Sequence, residues 1–117
     1  DSYKNDFYYD ASRVPVRLLI AARNNNDANA QTILTRQASF LSGVGQQNLK
    51  SGYTLSGSPL TTYYDTTFQT AYTAAAQINS SSSFAQGMLS SLVNTSPGSY
   101  FGTSLRTVFL LMLSRGI

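Results

Sequence analysis

Apolar residues recur along this chain at helical spacing, and the pattern predicts helices almost throughout. Leu18, Leu19 and Ala22 mark a short first helix. Pro15 is placed to open it at the first position, because a residue before proline, here Val14, is pushed out of the α region. Ala30, Ile33, Leu34, Ala38 and Leu41 follow the i, i+3, i+4 rule, with Asp27 as N-cap and Gly43 as the stop. Phe68, Ala71, Tyr72 and Ala75 form a third stripe behind a cap at Asp65 or Thr66. A fourth, Ala85, Met88, Leu89 and Leu92, ends before Ser96-Pro97-Gly98. The fifth runs from about Thr103 to Arg115. Its apolar residues, among them Leu105, Val108, Phe109 and Leu111, cover nearly the whole circumference, which predicts a helix packed on several sides.

Between the second and third stripes, Gly43 to Thr62 carries four glycines and a proline and reads as a long loop with a short hairpin. Ser80 to Ser83 is a polar linker. Helices joined by turns of this kind stack as antiparallel hairpins, so the chain is expected to be all-α. Its 117 residues make one domain by length, and 42% apolar content with eight Tyr and six Phe is enough to build a core.

Composition narrows the chemistry sharply. All five acidic residues are aspartates, Asp1, Asp6, Asp10, Asp27 and Asp65, and histidine and cysteine are absent. A Ser-His-Asp triad, a thiol nucleophile and a zinc site of His and Cys are therefore excluded within the chain, which leaves carboxylate chemistry. The net charge of +3 comes mostly from six dispersed arginines, without a basic run, so nucleic acid is not an expected partner. The longest apolar run, Val108 to Leu113, is far shorter than the roughly 20 residues that span a bilayer, so no membrane span is expected. Few charges with abundant Ser, Thr, Asn, Gln and Tyr are common in secreted polysaccharide-active proteins. A secreted or periplasmic location is expected, with any signal peptide removed before this start.

The stretch Phe7-Tyr8-Tyr9-Asp10-Ala11-Ser12-Arg13-Val14-Pro15-Val16-Arg17 sets an acid and two guanidiniums beside aromatic rings at the mouth of the first helix. Arg13, three residues after Asp10, would favour its charged form if the backbone coils there. The blander reading is that Asp10 caps the helix and pairs with Arg13 or Arg17. For Arg17, inside the helix, pairing with an acid of another segment is preferred to sugar contact.

The run Tyr9-Asp10-Ala11-x-Arg13-x-Pro15-x-Arg17 resembles the Asp-Ala-x-Arg-x-Pro-x-Arg motif of glycoside hydrolase family 8. The likeness continues through Gly52-Tyr53-Thr54-Leu55-Ser56-Gly57 to Ser99-Tyr100-Phe101-Gly102-Thr103-Ser104-Leu105. It implies part of an (α/α)6 barrel of antiparallel helix hairpins, with roughly five of its twelve helices here. Residues 1–117 would then be the carboxy-terminal portion of a single catalytic domain. It also implies an inverting endo-β-1,4-glucanase in which Asp10 is the general base and Arg13 supports it. Tyr9, Tyr100 and Phe101 would line the cleft, where sugar C–H faces stack on aromatic rings; Tyr63 and Tyr64 are weaker candidates. The family often has two tyrosines where this chain has Tyr100-Phe101.

Inverting hydrolysis sets two carboxyls about 6.5 to 9.5 Å apart around a water. In the family the acid is a glutamate near the amino terminus of the barrel, and no position here carries one. The resemblance thus implies two partners, a β-1,4-glucan and the remaining amino-terminal part of the same enzyme, with inactivity of this chain alone. No metal or organic cofactor is implied, since two carboxyls suffice for proton transfer. The alternatives are a family 8 xylanase or chitosanase fragment and a non-catalytic helical module that binds glycan or protein.

Overall fold

A computed structural model describes residues 14–54, 56–94 and 100–114, and in its last helix the side chains of 106, 107 and 109–114. It contains five α-helices: α1 (Val14–Asn24), α2 (Ala28–Val44), α3 (Thr66–Ala76), α4 (Ser83–Asn94) and α5 (Tyr100–Ser114). Short 3-10 turns cover Gln46–Asn48 and Gln77–Asn79. The fold is all-α as expected, and its packing is consistent with part of an all-α barrel. Among the described residues no helix is long and apolar enough to cross a membrane.

Helix α1 is described from Val14, so the residue before Pro15 is already helical. Proline brings no N–H to the helix, and the preference of Val14 for extended backbone gives way to the burial of Pro15, Val16 and Leu19. The helix ends where Asn26 turns left-handed at φ 53°, with the Asp27 N–H returning to the Ala21 carbonyl at 3.2 Å. Asp27 then caps α2, its carboxylate accepting from the N–H groups of Asn29 and Ala30. Gly43 does not stop α2. Its exposed position asks nothing of the missing side chain, and the helix runs on to Gly45, whose φ of 95° suits glycine and whose N–H closes on the Leu41 carbonyl.

The helix packed on all sides is α3. All eleven of its residues are buried, and it packs against α1, α2, α4 and α5. Four alanines and four threonines keep its circumference narrow, so four neighbours can approach closely. Its polar groups are satisfied across the seams. Gln69 Nε2 donates to Ser91 Oγ at 3.3 Å, Thr73 Oγ1 reaches the Met88 carbonyl at 3.5 Å, and Gln77 Nε2 donates to the Ala85 carbonyl at 3.1 Å. As one partner number rises the other falls, so α3 and α4 are antiparallel. Arg23, at the end of α1, donates to the Gln77 carbonyl at the end of α3, which sets those two helices side by side in the same direction.

Helix α5 includes Tyr100, three residues before its predicted start. Phe109 is fully buried, whereas Leu111 is 54% exposed, so among the described residues α5 has an open side. Its apolar circumference reflects large residues, and the central position goes to the helix of small ones. Replacing Ala71, which is fully buried, by leucine would force α3 away from its neighbours. Ala71→Leu is expected to destabilise the fold by about 1–3 kcal/mol, read from the midpoint of denaturant unfolding. An unchanged midpoint would show that α3 is not tightly held.

Candidate functional site

The sequence-predicted residues Tyr9, Asp10 and Arg13 lie outside the described residues. Tyr100 and Phe101 belong to α5, but their side chains lie outside the description as well. What the structure fixes is where the surrounding elements start. α1 and α3 run in the same direction, so the start of α1, where the Asp10 motif ends, and the loop entering α3 share one end of the bundle. Antiparallel α4 returns to that end at Asn94. Arg17 is exposed on α1 and pairs with no acid among the described residues.

The segment Leu49–Asp65 is built at this same end. Tyr53 and Pro59 form an antiparallel bridge, and the Leu60 N–H bonds the Gly52 carbonyl at 3.0 Å, which makes the predicted short hairpin. Gly57 closes it at φ 91°, and a Cβ there would meet the Phe40 ring at 3.0 Å. Backbone angle and contact both require glycine. Ser51 ties the hairpin to the start of α3, its hydroxyl accepting from the Asp65 N–H at 2.9 Å. Asp65 caps α3 through the Phe68 N–H.

A ring cluster anchors this hairpin. The Tyr72 hydroxyl accepts from the Gly52 N–H and donates to the Lys50 carbonyl, both at 2.9 Å. The Tyr53 hydroxyl accepts from the Lys50 N–H at 2.9 Å. Around Tyr72 lie Tyr64, stacked at 5.9 Å between ring centres, Phe68 at 5.8 Å and Tyr53 at 6.1 Å. Phe40 of α2 meets Tyr53 edge-on at 5.1 Å. Tyr64, weighed as a glycan contact, is half-buried and packs against the core, and its hydroxyl is buried without a partner. Tyr63 is 48% exposed.

Burial pushes the Tyr64 phenol far above its ordinary value, with Tyr72, Tyr53 and Asp65 adding to the effect. Burial also raises Tyr72, while the hydrogen bond from Gly52 pulls it down in part and Tyr53 and Asp65 push it up. Both phenols stay protonated at neutral pH.

Beneath the hairpin a hollow of about 580 Å³ opens between α2 and α3, lined by Arg36, Gln37, Phe40, Leu41, Tyr53 and Gly57 among others. Gln37 Oε1 is buried there with no hydrogen-bond partner. No sequence motif marks this hollow. Phe40 and Gln37 look unremarkable in sequence, and the only signal was the glycine-rich Gly52–Gly57 segment that covers them.

The chain is similar to two bacterial endoglucanases. It is 35% identical over 109 residues to Endoglucanase 2 of Ruminiclostridium josui. It is 33% identical over 109 residues to Endoglucanase C of Ruminiclostridium cellulolyticum. Each alignment covers 91% of this chain, and the chain spans only 24% of the length of either relative. No protein-family model matches the chain, and no solved structure matches it.

Two tyrosine variants separate anchoring from filling. Tyr72→Phe leaves the Gly52 N–H and Lys50 carbonyl without their partner and is expected to cost about 1–3 kcal/mol. Tyr64→Phe removes an unpaired buried hydroxyl and is expected to change stability by less than about 0.5 kcal/mol, or to raise it. Equal losses in denaturant unfolding would contradict this division.

The same phenols set an alkaline limit. Their folded-state values lie above the ordinary 10.0, so the stability they contribute is complete below about pH 10 and is lost as pH rises beyond it. Phenolate absorbance for these two rings should appear only together with alkaline unfolding. Titration of every tyrosine in a still folded protein would refute their burial.

Proposed function

We propose that this chain is the carboxy-terminal portion of an inverting endo-β-1,4-glucanase of the family 8 type, supplying the general base Asp10. The observation that carries this reading is the 35% identity to an endoglucanase across 91% of the chain. The Tyr9-Asp10-Ala11-x-Arg13-x-Pro15-x-Arg17 motif and the all-helical architecture support it. In this mechanism Asp10 accepts a proton from the water that attacks the anomeric carbon, on the face opposite the leaving group. Arg13 holds the carboxylate charged and oriented. Tyr9, Tyr100 and Phe101 offer rings to the sugar faces.

The family's general acid is a glutamate, and the chain contains none. On this reading it is a glutamate in the remaining amino-terminal part of the same enzyme, and the 117 residues alone do not turn over. The substrate is a cellulose-like glucan too large to enter a cell, so the enzyme acts after secretion. Two carboxyls complete the proton transfers, and the reaction calls on no cofactor.

In the complete enzyme Asp10→Asn is expected to lower turnover by at least about 10² to 10⁴-fold while substrate affinity and melting temperature stay close to wild type. The amide keeps the shape and the N-capping capacity of aspartate but cannot take the proton. If Asp10 is only a helix cap, Asn serves as well and the enzyme stays active. Near-wild-type turnover of the Asp10→Asn enzyme would therefore remove Asp10 from the mechanism.

A further inference from the structure

Tyr63 carries the most exposed aromatic ring among the described residues, at 48%. The rings around it are turned the other way. Tyr64 stacks on Tyr72 at 5.9 Å between ring centres, and Tyr53, Phe68 and Tyr72 are buried. The backbone that bears Tyr63 is also held in place. Its carbonyl accepts from the Ser51 N–H at 2.7 Å and from the Thr61 hydroxyl at 3.0 Å, and the same hydroxyl donates to the Ser51 carbonyl at 2.8 Å. Two residues on, the Asp65 N–H bonds Ser51 Oγ and the Asp65 carboxylate caps α3. An exposed ring is thus mounted on the fixed entry to the central helix.

This entry lies at the end of the bundle where α1 starts, since Arg23 and Gln77 set α1 and α3 side by side in one direction. Packed helix axes stand about 8–10 Å apart, so Tyr63 is displaced to one side of the chain that leads from the Asp10 motif into α1.

We infer that Tyr63 is a stacking platform for a glucosyl ring beside the one being cleaved, a residue that holds the glucan without taking part in the chemistry. This rests on the reading above, that the chain is part of a longer glucanase with Asp10 as its base. The rings of a β-1,4-glucan are uncharged and present C–H faces that settle on the flat face of an aromatic side chain. A site for them needs exposed rings rather than charge, and it gains from rings that are already positioned, because ordering a side chain on binding costs affinity. The hydrogen bonds at Ser51 and Thr61 fix the base of this one before any sugar arrives.

The test is kinetics with cellohexaose on the longer polypeptide proposed to contain this chain, with calorimetry in an Asp10→Asn background that leaves the sugar uncut. Tyr63→Ala is expected to raise KM and Kd about tenfold while kcat changes by less than about twofold. Tyr63→Phe keeps the flat face and should bind within about threefold of wild type. The melting temperature of Tyr63→Ala should stay close to wild type, because the bonds that fix this stretch are made by the backbone of residue 63. Tyr63→Leu, which keeps apolar bulk without a flat ring, is the second variant should Tyr63→Ala fail to fold, and it should weaken binding as Tyr63→Ala does.

Unchanged Kd in Tyr63→Ala and Tyr63→Leu would overturn the platform. So would a loss of kcat at unchanged KM, or Tyr63→Phe binding as weakly as Tyr63→Ala. The two readings fail separately. A polypeptide that cleaves cellohexaose but binds it equally well without the ring sinks the platform alone, and one that binds through Tyr63 but never cleaves sinks the hydrolase reading alone. Absence of any cellohexaose binding sinks both.

Discussion

A helix with no face toward water must find a partner for each polar group it carries, and that requirement on α3 organises the rest of the molecule. Its threonines and alanines are small enough for four helices to close around it, but Gln69 and Thr73, and Gln77 just beyond its end, would be costly if left unbonded in that interior. They are met by Ser91 and by the carbonyls of Met88 and Ala85, which fixes α4 antiparallel and in register. The Gln77 carbonyl receives Arg23, which fixes the end of α1. The shape of the bundle follows from satisfying one buried helix.

The same helix reaches upward to hold the loop above it. Tyr72 stands one turn beyond Phe68, and its hydroxyl serves two backbone groups of the hairpin at once. With Asp65 capping the helix and Ser51 binding the Asp65 N–H, a glycine-rich segment that would be mobile as a free loop is tied at several points. The described start of α1 lies at this end as well, beside a hairpin that is fixed to the helix beneath it.

Much of this was legible in the sequence, for identifiable reasons. Asp27 and Asp65 stand before apolar stripes, where a carboxylate has few better uses than capping, and both do so. The hairpin announced itself through Gly52, Gly57 and Pro59. The stop of α2 was misplaced because two glycines lie two residues apart, and only Gly45 sits where the backbone turns to positive φ. That α3 is the helix enclosed on all sides was not read from its pattern, for a more general reason. Periodicity counts apolar residues, whereas centrality here depends on small ones, and Thr70, Ala71, Thr73 and Ala74 read as unexceptional until four neighbours are seen against them. Nothing local marks the unpaired oxygens of Gln37 and Tyr64, since a missing partner is a property of packing. The motif around Asp10 was readable as a motif, but the residues that carry it lie outside the described structure.

The role proposed for Asp10 is tested most directly by the stereochemistry of hydrolysis by the longer polypeptide proposed to contain this chain. If Asp10 activates a water that attacks the anomeric carbon directly, the centre inverts, so proton NMR of the first products released from a β-1,4-glucan should show the α-anomer, with β appearing later by mutarotation. Initial release of the β-anomer would mean a covalent intermediate and a second carboxylate acting as nucleophile. It would contradict the role assigned to this chain.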